Sequence, residues 1–166
     1  MNITLIGMPG SGKSFVGEKL AETLGCSFFD PDKILEQAHK KSLPKILGIL
    51  GEEKFLQTEA DLSVAAIERE HVAVLSTGGS IIYSDDTMEK LARLSTIVYL
   101  KVDINTIKDR IGDAPRGIVG LKNKSLSQIY LERSSLYEKW AAITIDGTQD
   151  RDQIIEKIRT ALKNKI

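Results

Sequence analysis

Short β-branched apolar runs alternate with longer stretches of helical period along this chain. Strands are predicted at residues 3–6, 27–29, 72–76, 96–100 and 143–145. Helices are predicted at 13–24, 32–39, 43–50, 52–69, 87–94, 104–111, 126–141 and 150–162. Parallel neighbours need a crossover long enough to hold a helix, so this alternation predicts an α/β fold with a five-stranded parallel sheet and helices on both faces, three layers in all. Gly25 marks the end of the first helix as a left-handed cap, and Asp86 is the expected N-cap of the helix near Thr87. One segment, residues 112–125, is rich in glycine and basic side chains and has no period. Inside an α/β domain such a loop reads as a mobile lid.

Between the first strand and the first helix lies Gly7-Met8-Pro9-Gly10-Ser11-Gly12-Lys13-Ser14. The strand, glycine loop and helix context is that of a phosphate-binding P-loop. Glycines let successive backbone N–H groups point inward as an anion nest, and the helix N-terminus adds partial positive charge at the same place. Gly10, Ser11, Gly12, Lys13, Ser14 and Phe15 are therefore the expected nucleotide-binding segment. Lys13 would reach the β- and γ-phosphates, and the Ser14 hydroxyl would help hold Mg²⁺. The fold expected is that of a P-loop NTPase, binding ATP or a related nucleoside triphosphate.

The second strand ends in Phe29-Asp30-Pro31-Asp32. Ligands of parallel sheets gather at the carboxyl ends of the strands, which places both carboxylates near the P-loop. One aspartate can assist a metal ion while the other takes the proton of an attacking hydroxyl; the alternative is a turn with an N-cap. The third strand ends in Thr77-Gly78-Gly79-Ser80, where paired glycines allow a ligand close to the backbone or simply make a tight turn. Arg110, Arg116 and Arg133 are ordinary arginines by themselves, but phosphoryl transfer needs positive charge around its transition state.

Composition narrows the setting. The chain has 166 residues, with 23 basic and 23 acidic side chains, so length favours one domain and bulk charge points to neither nucleic acid nor an anionic membrane. The N-terminus lacks the basic and apolar regions of a signal peptide, and no apolar run reaches spanning length. Cys26 is the single cysteine and cannot form an internal disulfide. The expectation is a cytoplasmic, monomeric enzyme acting on a small molecule. His39 and His71 lie at helix ends without a second ligand at metal spacing and read as surface residues.

Taken in order, these elements resemble the shikimate kinase family. The resemblance runs nearly end to end: Gly7 to Ser14, Phe29-Asp30-Pro31-Asp32, Gly51-Glu52-Glu53-Lys54-Phe55, Thr77-Gly78-Gly79, Arg116, and Arg133 followed by Leu136-Tyr137. It implies ATP-dependent phosphorylation of the 3-hydroxyl of shikimate. Under that resemblance Lys13, Asp32 and Arg116 are catalytic, with Asp32 the base and Arg116 carried in by the lid. Asp30 joins Ser14 at Mg²⁺, Arg110 and Arg116 join the nucleotide contacts, and Asp32, Gly78, Gly79 and Arg133 bind the acceptor, Arg133 through its carboxylate.

Four positions depart from the family, one of them Ser135, which stands where the family has a proline before the Leu-Tyr pair. Leu56 stands where the family places an arginine that shares the grip on the substrate carboxylate, and a charge-assisted hydrogen bond of that kind contributes about 1.5–3 kcal/mol. Ser80 replaces a glycine, and Gly117 replaces a proline, which implies a looser lid. A kinase of another small hydroxylated acceptor, or a non-catalytic ATP-binding module, are the competing readings. The joint presence of Asp32, Arg116 and Arg133 argues against the module.

Overall fold

The computed structural model describes residues 2–69, 73–112 and 117–164. Five strands, β1 (Asn2–Ile6), β2 (Ser27–Phe29), β3 (Ala73–Ser76), β4 (Ser95–Lys101) and β5 (Ile143–Asp146), form one parallel sheet in the order β2-β3-β1-β4-β5. Every residue of β1 and β3 is buried, as strands covered on both faces require.

Alternation along the strands divides the core into two slabs. Ile3, Leu5, Val74, Val98 and Leu100 meet α1 (Lys13–Leu24) and α8 (Arg151–Lys163) on one face. Ile6, Leu75, Ile97 and Tyr99 meet α4 (Glu52–Glu68), α5 (Asp85–Leu94), α6 (Ile104–Ile111) and α7 (Leu126–Trp140) on the other. A third, smaller cluster gathers Leu35 of α2 (Pro31–His39), Ile46 of α3 (Leu43–Leu50), Phe55 and Val119. It lies beside the carboxyl ends of the strands and braces one wall of the cavity described below. The layered α/β architecture is the one the alternating pattern implies, and among the described residues no helix is long and apolar enough to cross a membrane.

Element ends differ from the sequence reading where side chains compete for the same role. Gly25 does close α1 in the left-handed region, at φ 64°. The N-cap of α5 is Ser84, not Asp86: its hydroxyl accepts from the Thr87 N–H at 3.3 Å, and Asp85 and Asp86 occupy the first turn, where the helix dipole favours them. In α2 it is Asp30 that caps, its Oδ1 accepting from Asp32 N at 3.1 Å and Lys33 N at 3.3 Å, so the helix starts at Pro31.

The expected lid divides. Residues 113–116, and with them Arg116, lie outside the described residues, as do residues 70–72, including His71. Residues 117–125 are irregular turns anchored by buried Ile118 and Val119. Gly117 has a steric reason to be glycine, since a Cβ there would sit 2.9 Å from the Leu43 carbonyl carbon. His39 is exposed and Cys26 half-buried.

Helix α7 delivers Arg133, and its start is set by a capping box. Ser125 Oγ accepts from Gln128 N at 3.2 Å, while Gln128 Oε1 accepts from Ser125 N at 2.8 Å. Ser125→Ala is expected to lower stability by about 1 kcal/mol, and Ser125→Gly by only a few tenths. Urea unfolding of the two variants checks this; equal losses would mean that the cap is not what holds the helix start.

Candidate active site

The carboxyl ends of β1, β2 and β3 open into one cavity of about 370 Å³. Each strand contributes through the loop that follows it. After β1, the glycine loop turns through positive φ at Gly10 (83°) and Gly12 (94°) and delivers Lys13 at the start of α1. After β2 comes Asp32, and after β3 come Thr77, Gly78, Gly79 and Ser80. Thr77 ties this last loop to β1, its hydroxyl donating to the Leu5 carbonyl at 3.0 Å.

Lys13 is buried against its own loop, donating to the Gly7 carbonyl at 2.8 Å and the Met8 carbonyl at 3.0 Å. Loss of water pulls its pKa down to about 8, against the opposing pull of Asp32, Asp30 and Glu59. The Ser14 and Ser76 hydroxyls lie 3.3 Å apart at the loop's edge. Asp32 has lost much of its water at the cavity wall and faces Asp30, and together these push its carboxyl up to about 6; Lys13 acts the other way.

Arg133 is almost fully buried although it carries a charge. Its Nη2 donates to the Val119 carbonyl at 2.8 Å and its Nε to the Tyr83 hydroxyl at 3.2 Å, and the guanidinium lies 5.1 Å from the centre of the Tyr83 ring. Below it, the Tyr137 hydroxyl donates to the Gly79 carbonyl at 2.6 Å and its ring stacks on Tyr99 with centroids 5.1 Å apart. The arginine and the glycine loop are thereby held by one network.

Of the residues singled out from sequence, Gly10, Gly12, Lys13, Ser14, Phe15, Asp32, Gly78, Gly79, Arg110 and Arg133 all line this cavity. Ser11 and Asp30 do not: Ser11 is buried beneath the loop, and Asp30 is buried as the cap of α2. A second cavity, about 290 Å³, opens on the other side of the glycine loop and shares Gly10, Gly12, Phe15 and Arg110 with the first. There Arg110 donates from Nη2 to the Gly147 carbonyl at 3.1 Å, and Arg151 stacks its guanidinium 4.4 Å from the centre of the Phe15 ring. The two cavities adjoin along the glycine loop.

Glu59 is the residue that sequence reasoning missed. It lines the cavity, is fully buried, and accepts from Ser80 Oγ at 3.2 Å through Oε2, while its Oε1 has no hydrogen-bond partner. Burial first, then the charge of Asp32, push its carboxyl up to about 8; the Ser80 hydroxyl, the nearby Gly78 N–H and Arg133 oppose that shift. A Cβ at Gly78 would fall 2.0 Å from Glu59 Oε1, so the carboxyl would have to move. A signal existed: Phe55, Glu59, Ser63 and Ile67 recur every fourth residue along α4, so the glutamate sits in the buried stripe of its helix.

Leu56 does not line the main cavity. It faces a small apolar pocket of about 90 Å³ with Ala60, Ile81 and Tyr83, and packs against the cluster around Phe55. Ser80 borders both spaces.

Comparison with known proteins agrees with this geometry. Residues 9–163 match the family model described as shikimate kinase. A shikimate kinase of Sulfurihydrogenibium sp. is 33% identical over 166 residues, covering 99% of each chain. A solved structure of shikimate kinase from Acinetobacter baumannii in complex with shikimate superposes with a TM-score of 0.85 at 29% identity, over 99% of this chain and 94% of that one. The Aquifex aeolicus shikimate kinase, at 24% identity, shares the fold with a TM-score of 0.83 over 99% and 98% of the two chains. With the family model spanning nearly the whole chain and the curated relative matching end to end, this protein belongs to the shikimate kinase family.

Proposed function

We propose that the protein transfers the γ-phosphoryl group of ATP to the 3-hydroxyl of shikimate, and that its 166 residues act as one monomeric kinase domain on small molecules, in the cytoplasm, without nucleic-acid or membrane partners. Family membership carries the kinase activity and ATP as donor. The observation that carries the reading of the site is the convergence of Lys13, Asp32 and Arg133 on one cavity from three different elements.

In this reading Arg133, fixed by Tyr83 and the Val119 carbonyl, offers its remaining N–H groups to the acceptor carboxylate. Gly78 and Gly79 let the acceptor ring approach the backbone. Asp32 accepts the proton of the attacking hydroxyl as its oxygen bonds to the γ-phosphorus and the bond to the β-phosphate oxygen breaks, leaving ADP. A carboxyl at about 6 is ionised at neutral pH yet basic enough to share that proton. Lys13 and the loop N–H groups of Gly10, Ser11 and Gly12 stabilise charge on the phosphates, Phe15 and Arg110 border the base, and Arg116 adds positive charge from the lid.

Ser14 and Asp30 are the residues that would hold Mg²⁺. Both are hard oxygen donors, and Asp30 spends only Oδ1 on capping α2, which suits an ion that completes its shell with phosphate and water oxygens. The ion supplies charge neutralisation at the phosphates. A second reading, a kinase for a less charged hydroxylated acceptor, is favoured by Leu56, an apolar side chain where the family places a carboxylate-binding arginine.

Two sets of variants test the assignment. Lys13→Ala is expected to abolish shikimate-dependent ADP release, and Asp32→Asn to slow turnover by about 10²–10⁴-fold with folding intact by circular dichroism. Near-normal turnover in Asp32→Asn would leave that carboxylate a structural group. Leu56→Arg is expected to lower the KM for shikimate by about ten- to hundredfold with little change in kcat, the signature of added uniform binding. A higher KM would favour the less charged acceptor.

A further inference from the structure

With Leu56 uncharged, the proposed reading leaves the acceptor carboxylate to Arg133, and one guanidinium grips well only if it is already held in place. A long side chain that is fixed before binding loses little freedom when the ligand arrives. The element that fixes Arg133 is the 3₁₀ turn Ile81–Tyr83, which follows the Thr77–Ser80 loop.

Ile81 and Ile82 are buried in the core and pin this turn, and the Tyr83 N–H donates to the Ser80 carbonyl at 3.1 Å. The Tyr83 side chain is 38% exposed, so filling the core does not account for it. It meets Arg133 twice: its hydroxyl accepts from Nε at 3.2 Å, and its ring centre lies 5.1 Å from the guanidinium carbon. The phenolic proton goes to Glu132, whose carboxyl is held below its ordinary range first by Lys124 and then by the Tyr83 hydroxyl. A hydroxyl that donates to a carboxylate is the stronger acceptor for the Arg133 N–H.

With Nε bonded to Tyr83 and Nη2 to the Val119 carbonyl at 2.8 Å, the plane of the guanidinium is fixed at two points. Tyr83 lines the small pocket beside Leu56 rather than the acceptor cavity, so it reaches a ligand only through Arg133. Leu56 shares that pocket, gives the tyrosine an apolar neighbour and takes nothing from its hydroxyl.

We infer that Tyr83 is a positioning residue that sets acceptor specificity: it presets Arg133 for the acceptor carboxylate and stands in for a cation at position 56. The inference rests on the proposed acceptor being a carboxylate such as shikimate. Two consequences follow. Loss of the Tyr83 hydroxyl weakens acceptor binding without slowing transfer, because the carboxylate grip is the same in the ground and transition states. The loss also matters less once a second guanidinium shares the carboxylate, so changes at Tyr83 and Leu56 are non-additive.

The experiment measures KM for shikimate, KM for ATP and kcat in the unmodified enzyme, Tyr83→Phe, Tyr83→Leu, Leu56→Arg and Leu56→Arg/Tyr83→Phe. Tyr83→Phe keeps the ring and is expected to raise the shikimate KM about three- to tenfold, with kcat and the ATP KM unchanged. Tyr83→Leu loses the ring as well and should raise it about ten- to thirtyfold. In the Leu56→Arg background, Tyr83→Phe should raise it less than about twofold. An unchanged shikimate KM in both Tyr83 variants would overturn the inference. So would a fall in kcat in place of the rise in KM, or an equal effect of Tyr83→Phe in the two backgrounds.

A second readout does not depend on shikimate. The ¹⁵N-coupled Nε–H signal that disappears in Arg133→Lys should exchange slowly with water in the unmodified protein and faster in Tyr83→Phe. Equal exchange in those two proteins would overturn the inference directly. Absence of shikimate turnover alongside a slow signal that Tyr83→Phe releases would instead fail the proposed acceptor while supporting the hold of Tyr83 on Arg133.

Discussion

Charges taken out of water must balance one another, and that constraint governs the centre of this molecule. Lys13 and Arg133 are buried there as cations; Asp30, Asp32 and Glu59 surround them as acids. None can be removed without exposing another. Burial lowers the Lys13 pKa, Asp32 and Asp30 oppose it most, and the side chain is anchored by the Gly7 and Met8 carbonyls. The carboxyl groups of Asp32 and Glu59 are in turn pushed upward, first by burial and then by the charge of a neighbouring acid. The balance leaves a cavity in which Lys13 and Arg133 face the acids Asp32 and Glu59.

The fold serves that balance through strand direction. All five strands run parallel, so the loops after β1, β2 and β3 emerge at the same edge and bring residues from positions 13, 32 and 78 together. The helices packed on one face close the fourth side: α4 brings Glu59 and α7 brings Arg133. Tyr137 ties α7 to the loop after β3 by bonding the Gly79 carbonyl and to β4 by stacking on Tyr99. Phosphate chemistry and acceptor recognition are therefore parts of one packed unit.

Local signals made the frame and half of the site readable from sequence. The glycine loop, Asp-Pro-Asp and Thr-Gly-Gly are short, and their meaning is set by the strands they follow. What was not readable depends on contacts far apart in the chain. Glu59 looks like any acid on an amphipathic helix until α4 packs its stripe inward, and the reason for Gly117 appears only where Leu43 meets it. The cap of α5 went to Ser84 over Asp86 by a choice among adjacent polar residues that spacing alone does not decide. Leu56 reads as a lost substrate contact, yet in the fold it packs beside a separate apolar pocket, and Glu59 stands at the acceptor wall.

The central claim is that this charge-balanced cavity turns over shikimate despite Leu56. The most direct measurement is ADP release by the unmodified protein with Mg·ATP, with and without shikimate. The account expects release that depends on shikimate and saturates with it. Release that is absent, or equal with and without shikimate, would contradict it.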